Sequence, residues 1–168
     1  AKEEYDCADT VSRASWCATG EKRRLLIPKK QNLMLYLQEF ITFGGYPGVV
    51  LEEDHEEKGL ILKDIHESFL KKDIIEAGVS GEYKFYQLLK ILADGVGALF
   101  NASELGNTIG LSPDTVKEYV YLLRKSYIVD LITPFHSNIR KELTKMPKVY
   151  MLDQGLRNQV LNDFRPPW

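Results

Sequence analysis

The sequence predicts a mainly α protein, a helical bundle leading into a winged helix-turn-helix with a small two- to three-stranded sheet. Three observations predict it. Several stretches repeat apolar residues at the spacing of a one-faced helix. The stretch 101–125 sets two such helices about Gly110, a residue that permits a tight turn. Two short runs rich in β-branched residues, 128–132 and 148–152, then flank a polar, basic segment. Helix, turn, helix, strand, loop, strand is the order of a winged helix.

In residues 1–28 polar and small residues surround isolated Tyr5, Val11 and Trp16, and the segment reads as poorly structured or short-helix, with a helix expected over Tyr5–Ser15 and a charged turn over 21–24. Residues 29–80 read as helical. Leu33, Leu37, Phe40 and Ile41 share a face of a helix over 29–43, which Gly44-Gly45-Tyr46-Pro47-Gly48 ends. The acidic run 52–57 has metal-ligand residue types without regular spacing, and suits the entry of the next helix, where the dipole favours negative charge. That helix is expected over 57–77, with Ile61, Leu62, Ile65 and Phe69 inward, His66 on the polar face and Gly78 at its end. A further helix over 82–96 turns Phe85, Leu88, Leu89 and Leu92 inward.

Residues 81–152 form the expected winged helix-turn-helix. Ser103 is the expected cap of the first helix, which carries Leu105 and Ile109. Ser112 caps the second, with Pro113 at the first helical position, where a missing N–H costs nothing. Val116, Val120 and Leu123 make its buried stripe. Its opposite side presents Thr115, Lys117, Glu118, Tyr121 and Arg124. The segment 136–147 reads as a wing or loop, with Arg140, Lys141 and Lys145. Residues 153–168 hold a C-terminal helix with Leu156, Val160 and Leu161 on one side.

The whole chain has 168 residues and a net charge of −2, so no basic coat suggests a nucleic-acid partner. Locally the balance reverses. Residues 112–150 hold seven Lys and Arg against four Asp and Glu, a net of +3. A second helix entering a major groove, with wing cations on phosphate, is the function this pattern suggests. The competing reading is a helical domain that packs or binds protein. Cys7 and Cys17 with three scattered histidines give no zinc pattern, and two reduced thiols are the expectation. No apolar run is long enough for a membrane span and no signal peptide is evident. The start at Ala1 and the end at Trp168 suggest a processed chain or a piece of something longer.

Gly44-Gly45-Tyr46-Pro47, the helix-turn-helix at 111–123, Pro134, Asn138, Lys145 and the string Pro147-Lys148-Val149-Tyr150-x-x-Asp153-x-Gly155-Leu156 together resemble the C-terminal part of a prokaryotic family of AAA-type P-loop ATPases. The resemblance runs from about Leu33 to the end. It implies that 29–80 closes the ATPase lid, that Gly45, Tyr46 and Pro47 lie near nucleotide in the parent, and that 153–168 opens a truncated following domain. It implies ATP and magnesium for the parent protein, and the chain's own ATPase module as a partner. The chain has no GxxxxGK[ST] loop to cradle phosphates, so no cofactor and no activity are expected of it alone. Some members' far C-terminal regions are likened to nuclease folds, which would make Asp153 a first metal-binding acid. No Glu-x-Lys follows it, and an N-cap role explains Asp153 without a metal. Three hypotheses remain open at this point. They are a duplex-DNA-binding winged helix in the cytoplasm, a regulatory domain contacting its own ATPase, and a truncated nuclease-like fragment.

Overall fold

A computed structural model describes residues 20–69, 81–135 and 137–165. The expected helix over Tyr5–Ser15, both cysteines, the helix beyond Phe69 with Gly78, and His136 lie outside these residues. The chain divides into two compact units, Ala1–Glu39 and Phe40–Trp168.

Helix α1 (Gly20–Phe43) provides the described part of the first unit and opens the second. It begins earlier than position 29, so residues 21–24 are helical rather than a turn, and it runs through Pro28. Leu33, Leu37 and Phe40 do not form a buried face; they are exposed, as are Met34, Leu35 and Tyr36. The stretch 33–37 is apolar on every side, so periodicity could not single out one face.

In the second unit, Pro47–Val50 forms the short helix α2 and His55–Phe69 forms α3. Asp54 caps α3, accepting the N–H groups of Glu56 and Glu57 at 2.8 and 3.0 Å, and those two glutamates lie in its first turn. The acidic run therefore starts a helix, as expected. The buried stripe of α3 differs from the expectation. Lys58, Leu62 and His66 are buried, while Ile61 and Ile65 are only half-buried. His66 is thus a core residue and not a surface histidine. The stripe that meets the rest of the unit follows i, i+4, i+8 through two polar side chains, which a search for apolar spacing passes over.

Helices α4 (Glu82–Asp94), α5 (Ala102–Ile109) and α6 (Pro113–Lys125) follow, then strand β1 (Val129–Ile132), helix α7 (Ile139–Thr144), strand β2 (Lys148–Met151) and helix α8 (Gln154–Leu161). Strands β1 and β2 pair antiparallel, with Val129 opposite Met151 and Ile132 opposite Lys148. Residues 97–100 line the other edge of β2. Gly97 N–H donates to Val149 O at 2.7 Å, Val149 N–H to Ala98 O at 3.0 Å and Phe100 N–H to Pro147 O at 2.8 Å.

Among the described residues, an apolar cluster joins α4, α5, α6, the two strands and α8. Phe85, Leu88, Leu89 and Leu92 of α4 meet Val116, Val120 and Leu123 of α6, together with Val129, Val149, Met151, Leu156 and Val160. The expected α6 stripe is buried to 2% exposure or less, so truncating Leu123 to alanine removes about 2–5 kcal/mol. The rings of Phe85 and Tyr119 lie 5.1 Å apart and extend the same core. Because Leu156 and Val160 are part of it, α8 packs into the winged helix itself. Two local details correct the sequence reading. Asn101, not Ser103, caps α5, taking N–H groups from Ser103 and Glu104. The segment between the strands is not a plain loop, because Asn138 accepts the Arg140 N–H at 3.0 Å and starts α7.

Candidate nucleic-acid interface

The turn between α5 and α6 is fixed by its backbone. Gly110 has φ +70°, a left-handed conformation that favours glycine, and Ser112 caps α6 by accepting the Thr115 N–H at 3.1 Å. Thr115, expected on the exposed side, is half-buried. Its hydroxyl lies 2.8 Å from the Ser112 hydroxyl, within the cap. Lys117, Glu118, Tyr121 and Arg124 are exposed, as is Lys125. They recur at the spacing of one helix face.

Two of these cations have partners on the chain. Lys117 Nζ lies 3.0 Å from Asp114 Oδ1, one turn earlier on α6. Arg124 gives Nε and Nη2 to Asp130 Oδ1, each at 3.1 Å, and the same oxygen accepts the Leu131 N–H at 2.8 Å. Arg140 and Lys145 are exposed and form no ion pair among the described residues; Lys141 shares the short helix α7 with Arg140. The cations expected on α6 thus divide from those of the wing. The former are ion-paired, while Arg140 and Lys145 stand free in that sense.

Gly44 and Gly45 meet the other distinctive string of the sequence, with Tyr46 close by. Asp153 caps α8 with Oδ1, which accepts the Leu156 N–H at 2.9 Å, and its Oδ2 accepts the Gly45 N–H at 2.7 Å. Gly44 has φ +80°, and a Cβ there would collide with the Asp153 carboxylate. A Cβ on Gly155 would fall on the Phe43 carbonyl and the Gly44 nitrogen. The two glycines therefore permit a backbone approach that no larger residue allows. Asn158 completes the clasp. Its Nδ2 donates to Ile41 O at 3.0 Å and Thr42 O at 2.8 Å, satisfying carbonyls at the end of α1. Arg157 steadies Asn158, with Nη1 3.0 Å from Asn158 Oδ1 and Nε 3.1 Å from Ala93 O. Tyr46 is half-buried beside this carboxylate; burial first, and the negative charge of Asp153 second, push its phenol above the ordinary 10.0. Pro47 is exposed and starts α2.

Sequence reasoning passes over Asn158, Arg157 and Lys58. Lys58 is 1% exposed, donates to Val49 O at 2.8 Å and lies 6.0 Å from the centre of the Phe43 ring. That ring also packs on His55 and Phe164, at 4.9 and 5.7 Å. The one available signal is positional. Asn158 lies between Leu156 and Val160 on a short helix, where an asparagine with no apolar role calls for partners. No group of three or more potential metal ligands occurs among the described residues, and no described helix is long and apolar enough to cross a membrane.

Residues 34–166 match the model of a protein family described as Domain of unknown function (DUF8612). The chain belongs to that family. The matched range takes in both halves of the clasp, α6 and the wing. Among similar curated proteins is an uncharacterized protein of Haemophilus influenzae, 30% identical over 129 residues, covering 73% of this chain and 32% of the relative. An uncharacterized protein of Mycobacterium tuberculosis is 27% identical over 119 residues, 70% of this chain and 27% of its own length. One from Methanocaldococcus jannaschii is 25% identical over 147 residues, 84% of this chain and 33% of its own length. The chain thus spans about a third of the length of the curated relatives it matches. No solved structure matches it significantly.

Proposed function

We propose that this chain is the non-catalytic C-terminal region of an ATP-binding ATPase, and that its winged helix holds duplex DNA by the phosphates in the cytoplasm. The observation that carries the DNA reading is the wing. Arg140 and Lys145 are exposed without an ion pair among the described residues, and Lys141 lies beside Arg140 on α7, between two paired strands that follow a helix-turn-helix. Cations so placed suit a duplex backbone, which binds chiefly through charge and release of counterions. The ATPase origin rests on the resemblance of the GGYP and PKVYxxDxGL strings. The relatives' greater length agrees with it.

A regulatory domain that contacts its own ATPase is the second reading, favoured by the ion pairs of Lys117 and Arg124, which occupy two side chains a DNA reader would offer. Salt dependence separates the two. Fluorescence anisotropy of the parent chain on duplex DNA, at about 50 and 200 mM salt, should show a log–log slope near −0.9 for each phosphate contacted. Absence of duplex binding at the lower salt contradicts the DNA reading and leaves the regulatory one.

A further inference from the structure

We propose that Asp114 and Asp130 restrain the α6 cations in cis, so that the winged helix contacts duplex DNA through its wing without discriminating sequence. The inference rests on the DNA reading above and states how that surface is regulated.

Three polar side chains of α6 that could read a base, those of Thr115, Lys117 and Arg124, are engaged on the chain. The Thr115 hydroxyl is turned into the Ser112 cap. Lys117 is neutralised by Asp114. Arg124 gives two donors to one oxygen of Asp130, and that carboxylate is itself tied to the Leu131 N–H of β1. The guanidinium is therefore led toward the start of the sheet, and its fork is not presented to a guanine edge. Direct readout in the major groove needs such forks or amides. Asp114 and Glu118 are exposed carboxylates on the same helix, and both repel phosphate. Tyr121 is exposed without charge. What remains for contact is Lys125 at the end of α6 and the wing cations. Phosphate contacts of this kind position a protein on the duplex and carry no sequence information.

The two carboxylates can be neutralised without changing shape. Asp130→Asn keeps an oxygen for the Leu131 N–H, and Asp114 is 86% exposed, so Asp114→Asn alone provides a variant that leaves packing untouched. Anisotropy on two duplexes of unrelated sequence, at about 50 and 200 mM salt, tests the inference, with circular dichroism to verify the fold. The parent should bind both duplexes alike. D114N/D130N should bind both more tightly at the lower salt. Two cations freed for phosphate should steepen its slope by roughly 1.8, an extra loss of about tenfold across that salt range. D114N alone should show about half of this steepening.

A parent that binds, with variants of unchanged affinity and slope, overturns the restraint while leaving the DNA reading intact. So does a parent that separates the two duplexes by tenfold or more. Failure of parent and variants to bind any duplex overturns the DNA reading and the restraint together.

Discussion

In the clasp, Asp153 accepts main-chain N–H groups on both carboxylate oxygens, and the buried Asn158 donates its amide to two main-chain carbonyls. On α6, Asp114 is 86% exposed and its partner Lys117 62% exposed, and they meet one helical turn apart. The residue types are similar, and water separates their roles. A carboxylate bonded to two amides at a helix entry holds chain segments 108 residues apart in sequence. An exposed i, i+3 ion pair contributes only about 0–1 kcal/mol to the fold. The most distinctive strings of this sequence therefore encode architecture, and the surface proposed to meet DNA lies in the plainer stretch around them.

That contrast can be broken first at Gly155. Gly155→Ala puts a methyl onto the Phe43 carbonyl, which is backbone and cannot swing away. The destabilisation should be at the upper end of the roughly 1–3 kcal/mol typical of overpacking, or beyond it. Urea denaturation with an unchanged midpoint would show that the close approach is not part of the fold. Asp153→Ala should cost about 0.5–2 kcal/mol through removal of the cap, and should leave the Gly45 N–H without its acceptor. A variant as stable as the parent would reduce the clasp to a crossing of chains.

His66 sharpens the comparison from the interior. It is 7% exposed, its Nε2 has no hydrogen-bond partner among the described residues, and its ring lies 5.7 Å from that of Tyr86. Burial lowers its pKa below the ordinary 6.5, with the nearby Glu67 charge opposing in part. The unfolded chain then binds the proton more readily. Stability is fully present above pH 6.5 and is lost as pH falls through the depressed folded value. Thermal midpoints of the parent should fall across that window more than those of His66→Phe. Parallel curves would mean that the histidine titrates as it does in the open chain.

The helix-turn-helix is legible in the sequence because its signals are local. Gly110, Ser112-Pro113 and the Val116, Val120, Leu123 stripe each act within a turn or two of the chain, and the two strands carry β-branched runs. The clasp is not legible as a contact, since nothing in Gly44-Gly45 or in Asp153-x-Gly155 states that the two meet. Asp153 as a cap is readable; its second oxygen on Gly45 is not. The α3 stripe escapes apolar periodicity because Lys58 and His66 stand where apolar residues are expected, and a buried lysine is recognised only once Val49 O is beside it. Arg124 is legible as a cation on an exposed face. Its capture by Asp130 depends on the turn that brings β1 back to the end of α6.

The smallest effect on stability, and the largest on binding, belongs to the wing. R140A/K141A/K145A should unfold at the parent's midpoint, since Arg140 and Lys145 are exposed without an ion pair among the described residues and such charges contribute little to the fold. Anisotropy on duplex DNA at about 50 and 200 mM salt, comparing this variant with the parent, tests most directly the claim that partner binding resides in the wing. The account predicts weaker binding by the variant on every duplex, and a slope flatter by roughly 0.9 for each phosphate that the wing no longer neutralises. Parent-like affinity and slope in a folded triple variant would contradict it.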